Sequence, residues 1–195
     1  MIEARFKIPT ASPGAMLREE RLAGTALGVE ADKLTGGGQL LPDPIIFGLV
    51  KAWLEKNNGS FTLDGFPRTL GQAAGLDELL EDRRTPLQAV INLEADLAIL
   101  QERVRNRLVC RKCRRNVSIG LHVSRPDDAC PTCGGPLTRR SDDNPDALGV
   151  RMRQYAAKTT PVATYYENRG LLHRVDATRP PADVFRHVTK ILEDE

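Results

Sequence analysis

The segment Asp64-Gly65-Phe66-Pro67-Arg68 places an acid, a flexible residue, a rigid residue and a guanidinium side by side. It follows the short apolar run 61–63, which predicts a buried strand. In an open α/β sheet, ligands bind outside the carboxyl ends of the strands. A guanidinium offers a planar set of donors that suits phosphate and carboxylate groups. The segment therefore predicts a site for an anionic group, with Arg68 as the candidate contact.

The four cysteines fall in one short window, as Cys110-x2-Cys113 and Cys130-x2-Cys133 with sixteen residues between the pairs. This spacing is typical of zinc ribbons, and the Pro and Gly residues of CPTCGG suit a tight turn around a metal-bound sulfur. Four thiolates complete a tetrahedral zinc site with no open position, so we expect structural zinc. Because the segment between the pairs has few apolar residues, metal binding would supply the folding free energy of this module.

Two other uses of the cysteines are weaker alternatives. Structural disulfides need an oxidising compartment, and the N-terminus lacks the apolar core of a signal peptide. A redox dithiol would need only one C-x2-C pair. We therefore expect a cytoplasmic protein whose cysteines bind zinc.

The elements that must position these residues alternate between strands and helices. Buried strands are predicted at 61–63, 89–93 and 171–177. Helices are predicted at 14–28, from Asp43-Pro44 to Asn57, at 96–108, from Asn144-Pro145 through a kink or stagger at Pro161, and at 181–193. This alternation implies an α/β fold with a parallel sheet covered by helices, into which the cysteine module is inserted.

Composition limits the classes of partner. A chain of 195 residues can form one large domain, or one domain with an inserted module. Its 41% hydrophobic and 28% charged residues are ordinary for a soluble protein. The net charge of +2 is too small to indicate nucleic-acid binding, and no run of 18 apolar residues suggests a membrane span. We expect neither a nucleic-acid nor a membrane partner.

Taken together, the motifs LDGFPRTLGQA, QERVRNRLVC and RRSDDNPDALGVRMRQY and the two C-x2-C pairs resemble adenylate kinases of the bacterial type with a zinc-binding lid. The resemblance covers nearly the whole chain. It implies a P-loop kinase-like core, a segment that clamps AMP, and a lid that closes over ATP. By this resemblance the core comprises 1–11, 60–106 and 142–195 with a core helix at 42–59, the monophosphate-binding segment is 12–41, and the lid is 107–141.

The resemblance also implies an activity and its cofactors. The reaction is reversible phosphoryl transfer from ATP to AMP, giving two ADP, with magnesium accompanying ATP and zinc confined to the lid. Such a site needs many cations, because the protein mainly positions the reactants and neutralises charge on the moving group. The implied partners are the nucleotides ATP and AMP, and the implied state is a monomer.

On the acceptor side, the resemblance implies that Arg68 holds the AMP phosphate while Gly65, Phe66 and Pro67 shape the wall beside it. Gln72 would read the adenine edge, and Asp64 would orient water around magnesium. The other positions that match AMP contacts are Gly14, Arg18, Gln39, Leu40, Leu41, Arg140 and Arg151.

On the donor side, Arg103 and Arg107 match positions at the lid hinge, and their spacing of four predicts that they share one helix face. Arg140 and Arg151 match a pair that moves inward as the lid closes. Asn116, Val117 and Arg179 match contacts to ATP. The implied catalytic set is Arg68, Arg103, Arg107, Arg140 and Arg151, and Asp142 and Asp143 match an acidic pair of the family.

The chain departs from the family pattern in three places. It has no G-x-x-x-x-G-K-[ST] phosphate loop and no strand before one, and Met1-Ile2-Glu3 corresponds to the helix that follows the loop. We expect the true start to lie upstream of Met1, rather than the loop to have been lost, and the polypeptide as printed to be weakly active or inactive. Pro13 and Ala15 replace a Thr and an Asp beside Gly14, and Asn116-Val117 replaces a pair that usually includes an aromatic residue.

Two alternatives remain open at this point. A kinase for UMP, CMP or another monophosphate would keep the mechanism and change the acceptor, and Gln72 argues for AMP. A non-catalytic nucleotide-binding or zinc-ribbon interaction protein would explain the absent phosphate loop.

Overall fold

The computed structural model describes residues 1–35, 41–140, 143 and 145–194. The strands in this part of the chain are β1 (Thr10–Ala11), β2 (Thr62–Leu63), β3 (Val90–Glu94), β4 (Arg107–Cys110), β5 (Asn116–Ser118), β6 (Leu137–Thr138) and β7 (Leu172–Asp176). The α-helices are α1 (Ile2–Phe6), α2 (Pro13–Leu22), α3 (Ala26–Thr35), α4 (Asp43–Lys56), α5 (Leu70–Asp82), α6 (Leu97–Asn106), α7 (Pro145–Gln154), α8 (Thr160–Glu167) and α9 (Pro181–Asp194). None of the described helices has the length and apolar composition needed to cross a membrane.

The strands outside the cysteine module pair in parallel. β1 pairs with β2 so that Thr10 lies opposite Thr62, and β3 pairs with β7 from Val90 and Leu172 to Glu94 and Asp176. Because parallel neighbours need a crossover between them, helices separate these strands along the chain. The predicted α/β class with parallel strands is confirmed.

The cysteine module is a separate antiparallel sheet in the order β5-β4-β6. Its small core contains Leu108, Val117, Cys110 and Cys130. Two of these four buried residues are candidate metal ligands, so little apolar surface remains to hold the module without a metal.

The predicted strands are present, with β2 and β7 shorter than expected and β3 of the expected length but shifted by one residue, and β1 was not predicted. Two residues cannot display an alternating pattern, so β1 has no periodic signal of its own. Its position depends on its partner, since the hydroxyls of Thr10 and Thr62 share a hydrogen bond of 2.7 Å.

The single helix predicted over 14–28 is wrong, because α2 and α3 are separated by a turn at 23–25. Gly24 adopts a φ of +65°, and the hydroxyl of Thr25 accepts a hydrogen bond from the N–H of Gly28 at 3.1 Å, as an N-cap does. A Cβ on Gly28 would lie 2.3 Å from the carbonyl oxygen of Glu20. Gly28 therefore permits the close approach of α3 to α2.

Two other helix boundaries also differ from the prediction. Helix α4 has Pro42 at its N-cap and Asp43 as its first residue, so Asp43 is not the cap. Helix α6 ends at Asn106, and Arg107 has extended backbone angles as the chain enters β4. The stagger predicted at Pro161 is confirmed, since residues 155–159 form one π-helical turn, called here the π-turn, before α8. Proline has no N–H and its ring crowds the preceding turn, which accounts for the wider turn.

Helix α5 is anchored on two sides, which fixes the loop that precedes it. On one side Leu76 and Leu80 pack with Val50, Leu54 and Phe66. On the other side Ala73 packs against Val162 and the fully buried Tyr166 of α8. The Tyr166 hydroxyl donates to a carboxylate oxygen of Asp77 at 3.1 Å, which satisfies this buried polar group.

Candidate functional site

The loop from β2 to α5 presents Arg68 and is built on buried neighbours. The N–H of Asp64 donates to the carbonyl of Ala11 at 2.8 Å, which continues the pairing of β1 and β2. Phe66 is buried in the α4–α5 core and is joined to Pro67 by a cis peptide bond. Asp64 and Arg68 remain exposed. The loop thus holds its ends in packed structure while its charged side chains reach solvent.

Gly65 allows the Arg68 side chain to fold back on the loop. It adopts a φ of +73°, and its carbonyl accepts a hydrogen bond from Nε of Arg68 at 2.7 Å. A Cβ at position 65 would lie 2.7 Å from Nη2 of Arg68. The positive φ therefore favours glycine at this position, and a larger residue would also displace the guanidinium from its present place.

The charges around Arg68 identify its neighbours. Partial desolvation by the surrounding protein lowers the pKa of the Arg68 guanidinium, nearby Asp64 opposes this shift, and Arg151 adds to it. Arg151 is thus close enough to Arg68 to repel it electrostatically. Two positive groups held near each other form a place that favours an anion.

Asp143 joins Arg151 to Arg107. Its side chain is 1% exposed, and its carboxylate accepts two hydrogen bonds from Arg107, one from Nε at 2.8 Å and one from Nη2. Nη1 of Arg151 lies 3.7 Å from the same carboxylate. We call Arg68, Arg107 and Arg151 the central arginines, because Asp143 links Arg107 to Arg151 and the charge of Arg151 acts on Arg68.

The remaining candidate arginines lie in separate contacts. Arg103 donates to the carbonyl of Ala177, just after β7, and Arg179 donates to Asp176 at 3.2 Å. Arg140 donates to the side-chain oxygen of Asn116 within the cysteine module. Arg18 is exposed, and its Nη1 would lie 3.5 Å from a Cβ on Gly14.

The prediction that Arg103 and Arg107 share a helix face is wrong. Arg103 lies in α6, whereas Arg107 is the first residue of β4. The spacing of four has meaning only inside a helix, and the chain leaves the helix between these residues. Arg107 is directed instead by its paired hydrogen bonds to Asp143.

Several other candidate residues are buried. Leu41 packs with Leu17 and Ala31, and Val117 belongs to the core of the cysteine module, while Asn116 is exposed. Gln72 is 3% exposed, and both ends of its side-chain amide are hydrogen-bonded to protein. Gln39, Leu40 and Asp142 lie outside the described residues.

The four cysteine sulfurs form a compact cluster. All lie within 4.8 Å of one another, with Sγ of Cys110 at 3.5 Å from Cys133 and Sγ of Cys113 at 3.7 Å from Cys130. A tetrahedral zinc with Zn–S bonds of about 2.3 Å separates its sulfurs by roughly 3.8 Å. The donor set and its spacing therefore fit a zinc ion. They do not fit disulfides, which need sulfurs about 2.05 Å apart.

Two similar turns build this cluster. The N–H of Arg114 donates to the carbonyl of Cys110 at 3.0 Å, and the N–H of Gly134 donates to the carbonyl of Cys130 at 2.8 Å. Backbone N–H groups of Cys113 and Lys112 also point at Sγ of Cys110, and they lower the pKa of that thiol to about 6 despite its burial. These N–H groups favour the thiolate of Cys110, which is the form that binds a metal. At Cys113 a hydrogen bond from the N–H of Arg115 acts in the same direction, but burial and the neighbouring thiols outweigh it and raise the pKa to about 11.

The backbone of Gly135 packs directly against the sulfur cluster. A Cβ at this position would lie 2.7 Å from Cβ of Lys112, 3.0 Å from Sγ of Cys110 and 3.3 Å from Sγ of Cys133. The sulfurs are therefore enclosed by backbone that only glycine allows to approach. This is a second observation, independent of the spacing, that fits a built metal site.

Two residues of the site were not identified as functional from the sequence. Asp43 was interpreted only as a helix cap, yet its carboxylate contacts Thr69 and Gln72. The hydroxyl of Thr159, in the π-turn, donates to the carbonyl of Arg68 at 3.1 Å. The only sequence signal for Thr159 was indirect, since Pro161 indicated a disturbed helix next to it.

Comparison with known proteins gives consistent matches. A sequence profile described as adenylate kinase matches residues 1–171. An adenylate kinase from Neurospora crassa is 39% identical over 197 residues, covering 100% of this chain and 71% of that protein. An adenylate kinase from Thermodesulfovibrio yellowstonii is 35% identical over 191 residues, covering 97% of this chain and 89% of that protein. An adenylate kinase from Archaeoglobus fulgidus is 36% identical over 194 residues, covering 98% and 89%.

Proposed function

Since the chain belongs to the adenylate kinase family, it is a phosphotransferase that moves a phosphoryl group reversibly from ATP to AMP, and we propose that the central arginines surround that group. One observation carries the proposal: Nη1 of Arg151 lies 3.7 Å from the buried carboxylate of Asp143 that Arg107 also contacts, and the charge of Arg151 contributes to lowering the pKa of Arg68. The carboxylate of Asp143 neutralises only part of the charge of these three guanidinium groups, so a further anion among them is stabilised. A migrating phosphoryl group is such an anion.

On the acceptor side, Arg68 holds the phosphate of AMP. Its Nε is occupied by the carbonyl of Gly65, so the terminal guanidinium nitrogens contact the phosphate oxygens. An oxygen of that phosphate attacks the γ-phosphorus of ATP. The bond between this phosphorus and the bridging oxygen to the β-phosphate breaks, its electron pair stays on that oxygen, and two ADP result. Gly14, Arg18, Gln39, Leu40, Leu41, Gly65, Phe66 and Pro67 complete the AMP site in this proposal. Gln72 contributes to it through Arg68, because both ends of its buried amide are hydrogen-bonded to protein.

On the donor side, arginines neutralise the charge of the triphosphate. Arg107 and Arg151 exchange part of their contact with Asp143 for phosphate oxygens, and Arg103 and Arg140 contact the same group as the lid closes. Asn116, Val117 and Arg179 lie against the rest of ATP. Closure excludes water, which strengthens these contacts and limits hydrolysis. The 195 residues contain no G-x-x-x-x-G-K-[ST] sequence, so the donor contacts proposed here are those of the lid and core arginines.

Asp64 fits the magnesium that accompanies ATP. It supplies an exposed carboxylate directly after β2, beside Arg68. Magnesium keeps several waters and is held by one or two carboxylates together with substrate phosphates. The ion supplies additional neutralisation of phosphate charge, and Asp64 orients its water shell in this proposal.

The same proposal assigns each segment of the chain to the core, the monophosphate-binding segment or the lid. The core comprises 1–11, 60–106 and 142–195 with the helix 42–59, residues 12–41 clamp the monophosphate, and residues 107–141 form the lid. Zinc bound by the four thiolates stiffens the lid and takes no part in the chemistry. We also propose a monomer in the cytoplasm, where thiols stay reduced.

Acceptor selectivity is the feature that tests this function. With ATP and magnesium, we expect AMP to support ADP formation at a higher kcat/KM than UMP, CMP or GMP, measured by chromatography of the nucleotide products. Each reaction should be run with zinc-loaded protein at several protein concentrations. A preference for UMP or CMP would assign a pyrimidine acceptor. Binding of AMP without any product formation would instead support a non-catalytic nucleotide-binding protein.

A further inference from the structure

The backbone N–H and the backbone carbonyl of Arg68 are each hydrogen-bonded to a side chain. Its N–H donates to Oε1 of Gln72 at 2.8 Å, and its carbonyl accepts from the hydroxyl of Thr159 at 3.1 Å. Because Arg68 lies in a loop between β2 and α5, these contacts fix the position of the backbone from which its guanidinium extends. The residues that fix them therefore affect how Arg68 meets its ligand.

Gln72 is oriented in turn by Asp43. Nε2 of Gln72 donates to Oδ1 of Asp43 at 2.8 Å, and Oδ2 of Asp43 accepts from the hydroxyl of Thr69 at 2.5 Å. An ionised carboxylate can only accept hydrogen bonds, so the amide nitrogen of Gln72 must face Asp43. The amide oxygen then faces the N–H of Arg68. Asp43 thus selects the orientation of the amide that holds Arg68.

The Thr69 hydroxyl completes this arrangement. It accepts from the N–H of Gln72 at 3.1 Å, which caps the N-terminus of α5. Asp43 is the first residue of the 14-residue helix α4, and a carboxylate is stabilised at a helix N-terminus by the helix dipole. The contacts therefore join two helices of the core at the base of the Arg68 loop.

Burial of Gln72 makes the loss of these hydrogen bonds costly. Gln72 is 3% exposed, so an amide that lost its partners could not be fully satisfied by water. Rotation of that amide would place its NH2 group against the N–H of Arg68, which would be repulsive. The loop would then shift away from its present position.

Resting on the proposed function, we infer that Asp43 is a positioning residue for Arg68, acting through Gln72 and Thr69. It does not itself touch the nucleotide. It keeps the Arg68 guanidinium placed for the phosphate of the acceptor, so its contribution depends on that phosphate and on Arg68.

The first test compares AMP with adenosine, which lacks the phosphate. By calorimetric titration of the full chain, Asp43→Ala should weaken AMP binding about tenfold, because the hydrogen bonds that orient Gln72 and Thr69 below Arg68 are lost. Adenosine binding should stay within about twofold, because adenosine has no phosphate for Arg68 to contact. Glu55→Ala serves as the matched control, because Glu55 is an exposed acid near the other end of the same helix. It should leave both affinities unchanged.

The second test is a double-mutant cycle. If Asp43 acts through Arg68, Asp43→Ala should change AMP affinity by less than about twofold in an Arg68→Ala background. An equal loss in both backgrounds, an equal loss for adenosine and AMP, or no loss at all would overturn the inference. Asp43→Asn, which retains the size and one acceptor oxygen, should give a smaller loss and replaces Asp43→Ala if circular dichroism shows that the latter is unfolded. Failure of the unmodified chain to bind AMP would instead contradict the proposed function.

Discussion

Arg68→Ala should lower the turnover of ADP formation by on the order of 100- to 1000-fold, the range found when one charge-stabilising donor is removed from an active site. Arg68 contributes a charged, two-pronged donor, and alanine leaves the acceptor phosphate without it. The hydrogen bonds of its backbone to Gln72 and Thr159 remain in place and only the side-chain bond to Gly65 is lost, so the fold should not change. Initial rates with varied AMP, in a coupled assay, measure the effect.

Two further variants separate charge and geometry. Arg68→Lys keeps the positive charge and loses the planar fork, so its loss should lie between those of the unmodified protein and Arg68→Ala. Arg105→Ala is the control, because Arg105 is exposed on α6 and its hydrogen bond to Arg139 is made by its backbone carbonyl, which the substitution keeps. Equal losses for Arg68→Ala and Arg105→Ala would remove Arg68 from the site.

Cys130→Ser should release zinc and destabilise the lid. Serine does not provide a thiolate, so one of the four ligands is lost from a site whose binding free energy is also the folding energy of the module. The module has little else to stabilise it, since Cys110 and Cys130 form half of its buried core. We expect zinc content to fall from about one ion per chain to near zero after dialysis, measured by atomic emission.

The effect of Cys130→Ser should be confined to the lid. Amide hydrogen exchange should accelerate in β4, β5 and β6, while β3 and β7 keep their protection. Thr132→Ser is the matched control, because Thr132 lies in the same turn between two cysteines and adds no metal ligand. Unchanged metal content in Cys130→Ser would exclude the four-thiolate site.

The features predicted best from the sequence are those encoded within short segments. The two C-x2-C pairs each form a local turn, and the spacing between them needs only one hairpin-like module to bring the sulfurs within 4.8 Å. Likewise, Asp64 to Arg68 follow one strand directly, so their position at its carboxyl end follows from the strand alone.

The features that were missed depend on pairing between distant segments. Thr10–Ala11 is a strand only because Thr62–Leu63 lies beside it. Asp43 and Gln72 are 29 positions apart, and Arg107 and Asp143 are 36 positions apart, so no local sequence pattern predicts either contact. Asp43 carried a strong local signal for a helix start, and that signal hid its contact with the Arg68 loop.

The boundary of α6 shows why spacing alone misled. Arg103 and Arg107 have helical spacing, but the module that begins at β4 requires extended backbone at Arg107, where three residues pair with β5. Tertiary pairing therefore overrides the local helical preference. The roles of Gln39 and Leu40, which lie outside the described residues, stay predictions.

Transfer between two nucleotides, rather than to water, is the central claim, and ³¹P NMR of an equimolar mixture of ATP and AMP with magnesium tests it most directly. Protein at a concentration comparable to the nucleotides resolves even slow turnover. We predict that ATP and AMP decline together, that two ADP form for each ATP consumed, and that no inorganic phosphate accumulates. Inorganic phosphate with unchanged AMP, or no ADP while AMP is bound, would contradict the account.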